Sequence, residues 1–234
     1  MIGTIINFAA IIVGGAIGLL LGSRLNEKIK RTVISGLGLF TLAYGLSLFL
    51  KTQNSLLVLG SLIIGILLGE WWKIEEGLEK IAGWLEHRFN SDNTSENTDK
   101  FIKGFLAATL VFCIGPMAIL GSIEDGLTGN INTLVVKSVL DFFAAMAFAS
   151  SLGIGVLFSA GMVLIYQGSI ALLSSHVQSI TTPLMMTELT ATGGVILMGL
   201  AVSGLLEIRK IRIASFLPAL IIAPLIVFLI SLIK

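Results

Sequence analysis

The chain has 234 residues, of which 55% are apolar and only 12% charged, with a formal net charge of +1. Soluble domains carry about 25% charged residues, so a mean hydropathy of +0.98 excludes an ordinary soluble domain and points to the bilayer. The lone Cys113 excludes an internal disulfide, and the net charge by itself says nothing about partners.

Several apolar runs reach the length of about 20 residues that a hydrocarbon core of about 30 Å requires. The sequence therefore predicts an all-α, polytopic transmembrane helix bundle in which residues 1–234 form a single integral-membrane domain. Eight spans are expected: Gly3–Gly22, Val33–Leu50, Leu56–Trp72, Ile102–Leu120, Leu134–Ser151, Ile154–Leu173, Leu189–Leu206 and Ile213–Ile233. The first run lacks a basic leader and is followed by its basic cluster, so it reads as a retained span rather than a signal peptide. Spans five and six are separated only by Leu152-Gly153, which leaves a tight hairpin and a broken long helix both open. With eight spans, every Lys and Arg except Lys51, Lys137 and Lys234 falls on one side. The positive-inside rule makes that side cytoplasmic and places both termini outside.

After span three, Glu70–Phe89 repeats Trp71, Ile74, Leu78, Ile81, Leu85 and Phe89 at helical spacing between charges. That pattern predicts an amphipathic helix lying on the cytoplasmic membrane surface, with a dimer contact as its rival. The polar run Asn90–Lys100 reads as a flexible linker, so residues 70–100 form one cytoplasmic segment. A weak internal echo superposes Asn7–Val33 on Glu188–Ala214, aligning Gly18 with Gly199 and Arg31 with Arg212. Glycine-spaced spans such as Gly14/Gly18/Gly22 permit close helix contacts within a copy or in a homo-oligomer.

Polar groups inside the spans carry the functional expectations. In Phe112–Asn130 an apolar helix meets Gly115-Pro116 and later the adjacent acids Glu124 and Asp125. Proline removes a backbone donor, and opened backbone in a bilayer is tolerated only against protein or a water-filled cavity. This stretch is expected to act as a gate and mouth. Asp141 lies about 12 Å into span five, sharing its face with Ser138 and with Lys137 four residues earlier. An ion ligand and a local pair with Lys137 both explain it. Glu188, before Thr190, Thr192 and the paired Gly193-Gly194, is expected either to ligate a solute or to cap span seven. Asn7 takes the matching place in the echo, and Gln167 is a further polar group in an apolar span. The noncytoplasmic acids gather toward the outer side, which favours cations over anions.

Walker, HExxH, CxxC and GxSxG patterns are absent, and neither His87 nor His176 has a visible partner, so no enzyme, cofactor or metal site is expected. The segments CIGPMAILGSIEDGLTGN, KSVLDFFAAMAFASSLGIGVLFSA and LTATGGVILMGLAVSGLLEIRKIRIASFLPAL resemble a bacterial integral-membrane family, domain of unknown function 554 of the YdfK/YqgA type. The resemblance covers essentially the whole chain. It implies a multi-pass protein of the bacterial cytoplasmic (inner) membrane, with no substrate attached. The expected function is a secondary transporter or permease of a cation or a small cationic or zwitterionic solute. A passive pore and a non-transporting scaffold are the alternatives. The expected partners are the lipid bilayer and a small cationic solute or proton, with no nucleic acid.

Overall fold

A computed structural model describes residues 1–78, 80, 84 and 95–233. Among them every regular element is helical: α1 (Ile2–Gly22), α2 (Glu27–Phe49), α3 (Ser55–Trp71), α4 (Ser95–Cys113), α5 (Pro116–Leu127), α6 (Asn132–Leu152), α7 (Gly155–Leu172), α8 (Ser174–Ile180), α9 (Pro183–Leu200) and α10 (Ala219–Ile233). A π-helical turn, Ala201–Leu205, prolongs α9, and a 3-10 turn, Ile213–Phe216, precedes α10. Among the described residues six helices are long and apolar enough to cross a membrane, and a seventh crossing results if the bent pair α4–α5 counts as one. The expected eighth is α3, which is shorter at 17 residues. The protein is an all-α polytopic bundle.

The chain forms two compact units. The first comprises Met1–Leu37 and Ala82–Ile180, the second Gly38–Ile81 and Thr181–Lys234, so α2 contributes to both.

In the first unit glycine sets the register. A β-carbon at Gly14, Gly18 or Gly22 would lie 2.3, 2.3 or 2.4 Å from the carbonyl oxygens of Phe142, Met146 and Ser150. The rising order makes α1 and α6 parallel, with backbones in contact as small residues allow. Against α7 the order falls: Asn7 bonds Gln167, while Gly15 abuts Leu157. The chain therefore reverses between α6 and α7, which resolves spans five and six as a hairpin. Gly153 makes the turn at φ +84° and ψ −160°, a region that side chains disfavour.

The fourth expected span is broken, and α4 and α5 meet at an angle of 62°. Gly115, at φ +156° and ψ +149°, makes the corner, and Pro116 starts α5 where a missing N–H costs nothing. Gly155 packs on Phe101 near the start of α4, and Gly126 of α5 packs on Ala171 near the end of α7. Together the bent pair runs alongside α7 from one end to the other.

In the second unit α2 and α9 run antiparallel, touching at Gly45 and Gly194, where a β-carbon on either would sit 2.6 or 2.5 Å from the other's carbonyl oxygen. Likewise Gly65 and Gly69 of α3 meet Ala219 and Ser215, so α3 is antiparallel to α10. Leu57, Met185, Ala223 and Val227 close the core at one end of these helices. Asn54 caps α3, its side chain accepting from the Leu56 and Leu57 amides at 3.2 and 3.3 Å. At the far end Arg212 bonds Glu70 and Glu76 at 2.7 and 3.2 Å.

Three boundaries differ from expectation. Glu70 and Trp71 belong to α3, and Lys73, at φ +54°, separates them from a new helical stretch at residues 74–78, so the amphipathic helix does not begin at Glu70. Most of its remainder lies outside the described residues. Ser95–Lys100, expected as linker, forms the first turns of α4, because helix already favoured from Phe101 onward extends into it. Span seven starts at Pro183, capped by the Thr182 hydroxyl, which accepts from the Met185 amide at 3.2 Å. The sequence echo is not matched in packing: Gly18 meets backbone, whereas a β-carbon at Gly199 meets only the Ile213 side chain.

The glycine seam makes a sharp prediction. Gly18→Val forces α1 off α6 and should cost about 2 kcal/mol or more, the scale of overpacking. The thermal midpoint of the detergent-purified protein should then fall by several degrees. Gly36→Ala, with open space at its β-carbon, should leave it unchanged or higher.

Candidate functional site

The buried face of α6 carries Lys137, Ser138, Asp141, Ala145, Phe148 and Ala149, the positions that repeat at helical spacing. Lys137 and Asp141, four residues apart, form a salt bridge while exposing only 6% and 7% of their surfaces. Two opposite charges in an apolar helix bundle are tolerated as a pair, because either alone would face the full cost of desolvation. Ser138, between them on the chain, donates its hydroxyl proton to the Leu134 carbonyl at 2.6 Å.

Neighbouring helices complete a polar cluster. From α1, Asn7 is completely buried. Its Nδ2 also donates to Gln167 Oε1 of α7 at 3.2 Å. Two atoms of this amide pair, Asn7 Oδ1 and Gln167 Nε2, are buried without any hydrogen-bond partner. That is an unused acceptor and an unused donor, each normally paired in a folded protein. From α4, the Phe112 ring lies 5.9 Å from Lys137 Nζ, within cation–π range. Cys113 follows it as the last residue of α4. The helix ends there because of Gly115-Pro116, and Pro116 has no N–H for the Phe112 carbonyl to accept. The broken helix therefore places its last turn beside the ionic pair.

The other expected site residues have different surroundings. Asp125 is buried and fastens α5 to α1, accepting from the Met1 ammonium at 2.8 Å and from the Thr4 amide and hydroxyl at 3.1 and 3.3 Å. Glu124 accepts from the Thr133 hydroxyl at 2.8 Å, tying α5 to α6. Both acids thus fasten the far end of α5, opposite the Gly115-Pro116 corner, to its neighbours.

Glu188 belongs to the second unit, and its carboxylate is fully buried. Oε2 accepts from the Thr52 hydroxyl at 2.6 Å, while Oε1 accepts from the backbone amides of Gln53 and Asn54 at 2.8 and 3.2 Å. It does not cap its own helix, as Thr182 does that. It holds the α2–α3 turn instead. Thr192 bonds back to the Glu188 carbonyl at 2.8 Å, and the Thr190 hydroxyl is buried without a partner.

Of the expected ligands, then, Asp141, Asn7, Gln167 and Ser138 share the first unit, whereas Glu188, Thr190 and Thr192 share one helix of the second. The sequence reads Lys137 only as a local partner for Asp141, and Cys113 only as excluding an internal disulfide. It missed Thr4 and Thr52 altogether. Thr52-Gln53-Asn54 before an apolar run is a legible capping signal, but nothing local says that a distant carboxylate will dock on it.

The architecture and its buried charges define a class, the polytopic α-helical membrane protein. The chain belongs to the family described as protein of unknown function (DUF554), whose family model matches residues 2–228. It is 34% identical over 225 residues to the uncharacterized protein YqgA of Escherichia coli strain K12, covering 95% of this chain and 94% of that protein. With the uncharacterized membrane protein YdfK of Bacillus subtilis strain 168 it shares 29% identity over 234 residues, 98% of this chain and 97% of that one. No solved structure matches the chain.

The ionic pair should show strong non-additivity. Asp141→Leu strands the Lys137 charge and should destabilise the protein by about 3–5 kcal/mol, while Lys137→Met with Asp141→Leu should recover most of that loss. Thermal or denaturant unfolding of the two single variants and the double variant measures the coupling. Additive losses would mean that the two charges do not depend on each other.

Proposed function

We propose that this protein is a secondary transporter of the cytoplasmic membrane that carries a cation or a small cationic or zwitterionic solute through its first unit. The observation that carries this reading is the buried Lys137–Asp141 pair with an unpartnered amide oxygen, Asn7 Oδ1, in the same cluster. Ionisable groups inside membrane helices are expensive and characteristically mark ion or proton pathways. A broken helix beside them repeats a common transporter device, in which a helix opens where it lines the path.

In this reading Asp141 is the cation-binding carboxylate and Asn7 and Gln167 are coordinating amides. The corner at Gly115-Pro116 is the moving part, because a glycine junction between two short helices changes angle without breaking either. Glu124 and Asp125 hold the mouth end of α5, and their bonds to Thr133, Thr4 and Met1 are those that exchange when it moves. Glu188 fixes a turn in the second unit rather than touching solute. No covalent step is involved, so the protein is not an enzyme.

Both termini lie outside, following the distribution of Lys and Arg. In a Cys113→Ser background, Asn130→Cys should react with a membrane-impermeant maleimide in intact cells, and Lys210→Cys only after permeabilisation. The opposite labelling would invert the orientation.

Transport itself is tested in proteoliposomes. Uptake driven by a cation or pH gradient should saturate with substrate and fall at least tenfold with Asp141→Asn, about 1.4 kcal/mol or more of lost stabilisation. Glu188→Gln should leave it largely intact. Flux that does not saturate would indicate a pore, and flux indifferent to Asp141→Asn would remove that residue from the path.

A further inference from the structure

We infer that the buried cluster of the first unit binds a small zwitterion, its ammonium taken by Asp141 and Asn7 and its carboxylate by Lys137 and Gln167. This rests on the transporter reading above and narrows its substrates from cations and zwitterions together to the second class.

Helix register brings the four side chains to one level. Along α1, Gly3 packs on Leu134 and Gly14 on the Phe142 backbone. Asn7, between those contacts on a helix parallel to α6, falls beside the turn that carries Lys137, Ser138 and Asp141. Gln167 of α7 joins it through the bond from Asn7 Nδ2 to Gln167 Oε1 at 3.2 Å. Asn7 and Gln167 are completely buried, and Lys137 and Asp141 nearly so. A solute among them is enclosed, so it is small and its own polar atoms must serve the groups it meets.

The unused hydrogen-bonding atoms give the polarity of that solute. The amide pair leaves one acceptor, Asn7 Oδ1, and one donor, Gln167 Nε2, both buried without a partner. Turning both amides over exchanges which residue supplies which, yet still leaves one of each. The salt bridge beside them likewise offers one negative and one positive group. A lone cation answers only half of this set. It leaves the amide donor unserved and adds an uncompensated positive charge to a low-dielectric interior. A lone anion fails in the same way with the signs reversed. A zwitterion brings one charge of each sign, so the cluster is neutral before and after it binds, and no group changes protonation. Lys137 exchanges the Asp141 carboxylate for that of the solute, and Asp141 exchanges the lysine ammonium for that of the solute. The long, rotatable lysine stem opens the gap, with the Phe112 ring 5.9 Å from Nζ as a cation–π neighbour. Side chains four residues apart on a helix leave it about 5–6 Å apart. The two charges of the solute therefore sit on the same carbon or on neighbouring carbons.

The test uses full-length protein in proteoliposomes with labelled glycine, alanine and β-alanine, and with sodium, potassium and methylamine for comparison. At least one of the three zwitterions should enter saturably. Its uptake should survive a large excess of its half-molecules, methylamine and acetate for glycine or ethylamine and propionate for the alanines, because each leaves buried groups unpaired. Acetamide, which offers a donor and an acceptor but no charge, should not compete either. Gln167→Met removes the spare donor and should raise the KM for that zwitterion roughly tenfold or more. Where that variant does not fold, the competition series in the wild type decides alone. Saturable uptake of cations with none of the zwitterions overturns this inference but leaves transport standing. So does competition by a half-molecule or acetamide as strong as by the unlabelled zwitterion, or a KM unchanged in Gln167→Met. Absence of saturable uptake for every cation and zwitterion overturns both readings.

Discussion

Lys137 and Asp141 form a buried salt bridge inside a membrane bundle, and the first unit is arranged around it. An isolated charge there would be costly, and a pair is tolerable only with good geometry and further hydrogen bonds. Helical spacing puts the two groups on one face of α6, four residues apart. The glycines of α1 then bring that helix, with the buried Asn7 on it, against the α6 backbone. Gln167 backs Asn7 from α7, and the end of α4 lays Phe112 near the ammonium. Remove the seam and the pair loses its neighbours; remove the pair and the buried amides have nothing to serve.

The second unit shows what a buried carboxylate looks like when its needs are met locally. Glu188 takes three donors from one turn and so satisfies its charge with backbone dipoles and a hydroxyl. A carboxylate held that way resembles a fastener, since moving it would strand two backbone amides. Asp141 instead relies on a flexible lysine side chain, which can swing away without stranding any backbone group. That difference, and not burial alone, separates the residue assigned to transport from the one assigned to architecture.

Much of this order is written locally. Apolar length alone marks the helices, and Gly115-Pro116 marks the corner, because both act through the backbone of their own segment. The pairing of Lys137 with Asp141 is legible too, being a matter of helical spacing. What the sequence does not display is which helix faces which. Asn7 reads as an isolated polar residue until α1 is seen parallel to α6, and Glu188 reads as a cap for its own helix until the Thr52–Asn54 turn docks on it. The hairpin at Gly153 was undecidable for the same reason: a short glycine link fits both a reversal and a kink, and the packing of α1 against both helices decides between them. Ser95–Lys100 misled in the other direction, since polar composition suggests a linker where the helix begun by the following apolar residues simply continues.

The central claim is that the transported solute passes the buried Lys137–Asp141 pair of the first unit. The most direct measurement is saturable uptake into proteoliposomes, screened over cations and small cationic or zwitterionic solutes, with the wild type, Asp141→Asn and Glu188→Gln side by side. The account predicts uptake lost with Asp141→Asn and kept with Glu188→Gln. Equal uptake by the wild type and Asp141→Asn would contradict it.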